Sequence, residues 1–145
     1  MKGKNIVETV VSNARIVLPD RILTDSLLLI CDGGIVGVHP AAGKGSVDSF
    51  DSAETIIYDF AGDFVVQGLI DLHVHGCGGA DTMDAEPAAL DRMAAALLQQ
   101  GTTAFLATTM SAGSDRIQAA LSVGARFQQR EDKAEMLGFH MEGPC

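Results

Sequence analysis

Apolar residues in the first 66 positions fall in short runs broken by turn residues, while those after residue 64 fall in longer runs. The first pattern reads as strands and the second as strands alternating with helices. In the first region, residues 13–18, 26–31, 35–39 and 55–60 are predicted strands. Pro19-Asp20 ends the first of them, and Asp32-Gly33-Gly34 forms a hairpin turn before the third. Residues 40–54, rich in Gly, Ser, Ala and Asp, read as an exposed loop. Residues 1–66 are thus expected to form a small β-rich domain.

In the second region, residues 65–75 read as a buried strand that runs into a glycine-rich loop. Residues 86–100 are a predicted helix, with Pro87 in its first turn and Gly101 just past its end. Its stripe of Leu90, Met93, Ala94, Leu97 and Leu98 repeats at helical spacing, so one face is buried. A strand over 102–110 follows, then a helix over 114–129 with Ile117, Ala120, Leu121 and Gly124 facing inward. Ser111 and Ser114 are candidate N-caps for that helix. A strand over 135–142 closes the region before Gly143-Pro144. Alternating strands and helices predict an α/β fold with a parallel sheet and right-handed crossovers.

The candidate chemistry sits at strand ends. Asp71, His73 and His75 share one parity in the first strand of this region, so they are expected on one face. Two neutral imidazoles two residues apart can grip one divalent ion. Gly76, Gly78 and Gly79 would let the chain turn and keep that rim open. In the last strand Met136, Gly138, His140 and Glu142 share a parity, and the polar members again collect at the carboxyl end. Carboxyl ends of parallel strands lie on one rim, so Glu142 can join His73 and His75 in a metal set with open positions for water. The bland alternatives are strand histidines satisfied by hydrogen bonds and, for Glu142, a surface or helix-capping carboxylate. His140 reads as a residue behind the ligands or against substrate and not as a ligand. Asp71, Gly76 and Cys77 are expected near the same site.

The net charge is −9, which argues against nucleic acid and anionic membranes as partners but leaves room for a small anionic substrate. No apolar run is long enough to span a bilayer, and no signal peptide is evident at the start, so a cytoplasmic protein is expected. Three cysteines, Cys31, Cys77 and Cys145, are spaced too widely to suggest a disulfide framework or a paired-cysteine metal knuckle. His39, at a strand end before Pro40, reads as a surface residue.

Gly68-Leu-Ile-Asp-Leu-His-Val-His75 resembles the first barrel strand of the amidohydrolase superfamily. Together with Gly76-Cys-Gly-Gly-Ala-Asp-Thr-Met-Asp-Ala85, Gly101-Thr-Thr-Ala-Phe-Leu-Ala-Thr-Thr109 and Gly138-Phe-His-Met-Glu-Gly-Pro144, it resembles the N-acetylglucosamine-6-phosphate deacetylase family. Asn13-Ala-Arg-Ile-Val17 and Asp32-Gly-Gly-Ile35 resemble that family's opening sheet. The resemblance implies residues 1–66 as part of a composite sandwich, and 67–145 as the first three β/α units of an incomplete (β/α)8 barrel. It implies deacetylation of N-acetylglucosamine 6-phosphate to glucosamine 6-phosphate and acetate, by a water that one or two divalent ions activate. Zinc, iron, manganese or cobalt would suit the donors. Glu142 would be the central ligand, with His73 and His75 on a second ion. A homodimer is implied for the complete enzyme. Two positions depart from the family: Gln67 stands for a usual proline, and Met141 for a usual Leu or Val. The family continues beyond the equivalent of Cys145, and its later histidines and catalytic aspartate have no counterpart here. The chain is therefore expected to be an inactive amino-terminal fragment. Competing readings are an amidohydrolase acting on a cyclic amide or nucleobase, of the dihydroorotase or adenine deaminase kind, and a non-enzymatic remnant.

Overall fold

Branched aliphatic residues in the first third of the chain pair into one mixed sheet. The computed structural model describes residues 8–40 and 54–143. Its first strands are β1 (Thr9–Val17), β2 (Ile22–Cys31), β3 (Gly34–Pro40), β4 (Ile56–Asp59) and β5 (Phe64–Val65). They lie in the order β3-β2-β1-β4, and β5 also pairs with β1. Val11, Ala14, Ile16 and Leu28 form one buried cluster, and Val10, Leu27 and Leu29 another.

β1 and β2 both begin four residues earlier than the alternation predicts. The reason is bulging: the β1–β2 register slips between Val11 and Ala14, where Asn13 takes a φ of 51°. A bulge lets a strand pass through a break in alternation that would otherwise end it. The turn at Asp32 and Gly33 has φ of 50° and 70°, the left-handed geometry that a two-residue hairpin loop requires. Most of the expected loop at 40–54, together with residues 1–7, Pro144 and Cys145, lies outside the described residues.

The chain divides into two compact units, Met1–Gln67 and Gly68–Cys145. The second contains β6 (Leu69–Val74), a two-stranded hairpin of β7 (Gly76–Cys77) and β8 (Ala80–Asp81), α1 (Pro87–Gln99), β9 (Thr102–Thr109), α2 (Ser114–Gly124) and β10 (Glu135–Met141). β6, β9 and β10 form a parallel sheet in the order β10-β9-β6. The fold is mixed α/β, and its three parallel strands do not close into a barrel. Ala89, Leu90, Met93, Ala94 and Leu97 of α1 pack with Phe105, Ala107 and Met136 of the sheet; Leu98 is only partly buried. Fully burying side chains such as Met93 and Phe105 contributes roughly 1.5–3 kcal/mol each.

Four expectations need correction. The strand expected over 65–75 is two strands: Val65 pairs with Ile16, while Leu69 pairs with Thr102. β6 is also not buried. Among the described residues it has one neighbour, and Leu69, Ile70 and Leu72 are about three-fifths exposed, at 62%, 59% and 60%. α2 stops at Gly124, five residues early, where a Cβ would strike the Phe139 ring. Neither Ser111 nor Ser114 caps it; Gly113 is the N-cap and makes no side-chain bond.

Candidate metal centre

Two bulges aim the polar side chains. Asp71 pairs with Phe105 and Val74 with Ala107, so three steps along β6 match two along β9. Paired residues in a parallel ladder share a face, and Phe105 and Ala107 face α1. Asp71 and Val74 therefore face the helix side, and His73 and His75 the opposite one. In β10, Met136 pairs with Phe105 but Gly138 with Leu106, which makes Leu137 the extra residue. Gly138 and His140 thus share the histidine face, whereas Met136 does not. Simple parity had put Asp71 with the histidines and Met136 with His140; both placements are corrected by the bulges.

On that face, His73 Nε2 lies 3.1 Å from His75 Nε2. Glu142, the first residue past β10, places Oε2 3.2 Å from His73 Nε2 and 2.8 Å from His75 Nε2. The three are partly open to solvent: side-chain exposure is 48% for His73, 30% for His75 and 49% for Glu142. Three donor atoms at these separations fit one cation. Ligand atoms ~2.0–2.1 Å from a tetrahedral ion stand about 3.3 Å apart. Protons alone satisfy the trio less well. Each Nε2 that donates to Glu142 must carry a hydrogen, and two such N–H groups would then face each other at 3.1 Å. A shared cation with both imidazoles neutral removes that conflict. Among the described residues, this is the His/Cys/Asp/Glu cluster whose donor atoms all lie within 4.8 Å of one another.

The neighbouring residues have separate tasks. The His140 ring centroid is 4.6 Å from that of His73, tilted by 43°, so it packs behind that imidazole. Asp71 Oδ1 accepts the His73 backbone N–H at 3.0 Å. Gly76 opens the β7–β8 hairpin, and a Cβ there would run into the Ala80 carbonyl. Space and not openness is what that position demands, whereas Gly78 and Gly79 make the turn itself with φ of 62° and 73°. Cys77 is half-buried against the α1 core, its thiol toward the Met93 carbonyl at 3.6 Å. Burial, and secondarily the Asp71 charge, pushes its pKa up, so it stays a protonated packing group. Cys31 and Cys77 are both free thiols. Past the hairpin, Asp81 and Asp84 form a reciprocal capping box around the 3-10 turn Thr82–Asp84. Thr82 donates its backbone N–H to the His75 carbonyl at 2.8 Å.

One contributor was not singled out from the residues. Thr108 of β9 is fully buried, and its hydroxyl accepts the Val74 N–H at 2.9 Å, between the two histidines. Four of the eight residues of β9 are threonines, so nothing in the sequence sets Thr108 apart from Thr102, Thr103 and Thr109.

No protein-family model matches the chain. It is similar to the N-acetylglucosamine-6-phosphate deacetylase of Lysinibacillus sphaericus, at 42% identity over 85 residues, covering 58% of this chain and 22% of that protein. It is similar to the N-acetylgalactosamine-6-phosphate deacetylase of Escherichia coli O157:H7, at 33% identity over 131 residues, covering 90% of this chain and 32% of that one. Among solved structures, the N-acetylglucosamine-6-phosphate deacetylase of Pasteurella multocida matches with a TM-score of 0.77 and 25% identity, covering 94% of this chain and 34% of that one. The chain thus spans between about a fifth and about a third of the length of the relatives it matches. The resemblance carried by residues 68–75 and 138–144 is to these same enzymes.

Proposed function

We propose that this chain supplies one corner of the active site of a metal-dependent N-acetylglucosamine-6-phosphate deacetylase. The observation that carries this reading is the meeting of His73 Nε2, His75 Nε2 and Glu142 Oε2 within about a hydrogen-bond length of one another. His73 and His75 would offer neutral nitrogens, and Glu142 a carboxylate that neutralises charge between them. A divalent ion held there would lower the pKa of a bound water and polarise the acetamide carbonyl. Around that group, His140 braces the His73 ring, while Cys77 packs the neighbouring β7–β8 hairpin against α1. On this reading β6, β9 and β10 are the opening strands of a (β/α)8 barrel, with residues 1–66 and 67–145 as separate domains. A cytoplasmic homodimer of the longer enzyme fits the same picture. No helix among the described residues is long and apolar enough to cross a membrane.

The Escherichia coli relative acts, by its name, on the galactosamine epimer and matches over 90% of this chain, which keeps N-acetylgalactosamine 6-phosphate as a second reading. Acetate release should be assayed on both sugar phosphates, with dihydroorotate and adenine as controls, using the open reading frame that contains this chain. Turnover of a sugar phosphate and of neither control is expected. Ammonia from adenine or ring opening of dihydroorotate would reassign the site. The 145 residues alone are expected to release no acetate from any of them.

A further inference from the structure

The geometry points to Thr108 as the residue that positions the two histidines; the inference rests on the metal reading above. The β6 register slips between the Asp71–Phe105 and Val74–Ala107 pairs, and there the backbone N–H groups of His73 and Val74 bond to side chains. A half-buried N–H left without a partner is costly, so something must replace the ladder bonds. Asp71 Oδ1 takes the first at 3.0 Å, and Thr108 Oγ1 takes the second at 2.9 Å. The Thr108 hydroxyl in turn donates to the Leu106 carbonyl at 3.3 Å, which leaves its oxygen lone pairs toward Val74. Its own side chain is fully buried, so neither bond is exchanged for water.

Val74 stands between His73 and His75. Anchoring its N–H sets the backbone from which both imidazoles leave the strand. On its other flank Thr108 pairs with His140, two residues before Glu142. One buried hydroxyl in the central strand therefore fixes the β6 bulge at the level where all three donors meet. Thr108 acts through the Val74 backbone, so it is a positioning residue. Valine has nearly the same shape but no acceptor, and serine keeps the acceptor.

The test is zinc competition against a chromophoric chelator on the 145-residue chain, for wild type, Thr108→Val and Thr108→Ser. It is paired with amide hydrogen exchange at Val74 in the metal-free protein. Thr108→Val should weaken zinc binding by about 10–100-fold, the usual cost of losing a group that orients a ligand. Thr108→Ser should stay close to wild type, and the Val74 amide should be slow in wild type and serine and fast in valine. Equal zinc affinity for wild type and folded Thr108→Val overturns the inference. So does a Val74 amide in wild type that exchanges freely. If Thr108→Val does not fold, the serine variant decides: loss of either zinc affinity or Val74 protection in it counts against the hydroxyl. A wild type that takes up no zinc sinks the metal reading instead, and Val74 exchange then judges the anchoring by itself.

Discussion

Glu142 faces both imidazoles with a single oxygen, and that makes it the residue on which the candidate centre should depend most. Glu142→Gln keeps the shape and removes the charge, so zinc affinity should fall by at least ~tenfold, as for any weakened ligand set. Isothermal titration of the variant beside wild type measures this, and an unchanged affinity would exclude Glu142 as a ligand. Cys77 allows a second check at the same scale. Its folded pKa is raised by burial, then by Asp71, so the folded chain holds the thiol proton more tightly than the unfolded one. That contribution is complete below the unfolded value of ~8.5 and is lost as pH rises through the folded value. Cys77 in a Cys31→Ser, Cys145→Ser background should therefore react with a disulfide reagent more slowly than a free thiol, and the gap should narrow at alkaline pH. A rate equal to free cysteine near neutrality would contradict it. Donor types and their strand-end positions could be read from the residues themselves. The face on which Asp71 lies could not, because a bulge reverses alternation without any residue that announces it.

Among the elements, α1 was the most legible: its predicted limits differ from Pro87–Gln99 by one residue at each end. A long apolar stripe, a proline in the first turn and a following glycine all agree there. The split between β5 and β6 falls at Val66-Gln67-Gly68, a short break that a single strand can also carry, so only the pairing partners reveal it. The sequence over the β7–β8 hairpin reads only as a glycine-rich loop, since two-residue strands carry no periodicity. Its packing predicts a specific sensitivity. In Gly76→Ala the new methyl meets the Ala80 carbonyl, a backbone atom that cannot swing aside. Overpacking of this kind costs about 1–3 kcal/mol. Phe105→Ala, at the centre of the α1 interface, should cost about 3–5 kcal/mol. Urea unfolding of the two variants checks both magnitudes. A Gly76→Ala protein as stable as wild type would mean that the hairpin is free to move.

At the scale of the whole molecule, the deciding feature is the apolar surface exposed among the described residues. Leu69, Ile70, Leu72, Leu137 and Met141 are all about half exposed or more, at 62%, 59%, 60%, 52% and 46%, and β6 and β10 are both edge strands. Unpaired strand edges flanked by apolar side chains recruit other chains. The charge of −9 opposes this, because every copy carries the same sign. The balance depends on ionic strength: salt shortens the range of repulsion to ~10 Å at 0.1 M and less above it, while burial of apolar side chains is not weakened. Sedimentation velocity should therefore show association that grows as salt is raised from low to moderate levels. Ile70→Lys, which puts a charge on the β6 edge, should reduce it at every salt concentration. A wild type that remains monomeric throughout, with one sharp and reversible unfolding transition, would show that the three-stranded sheet is sufficient by itself. The open edge would then be an ordinary surface, and no further strands would be needed to explain it.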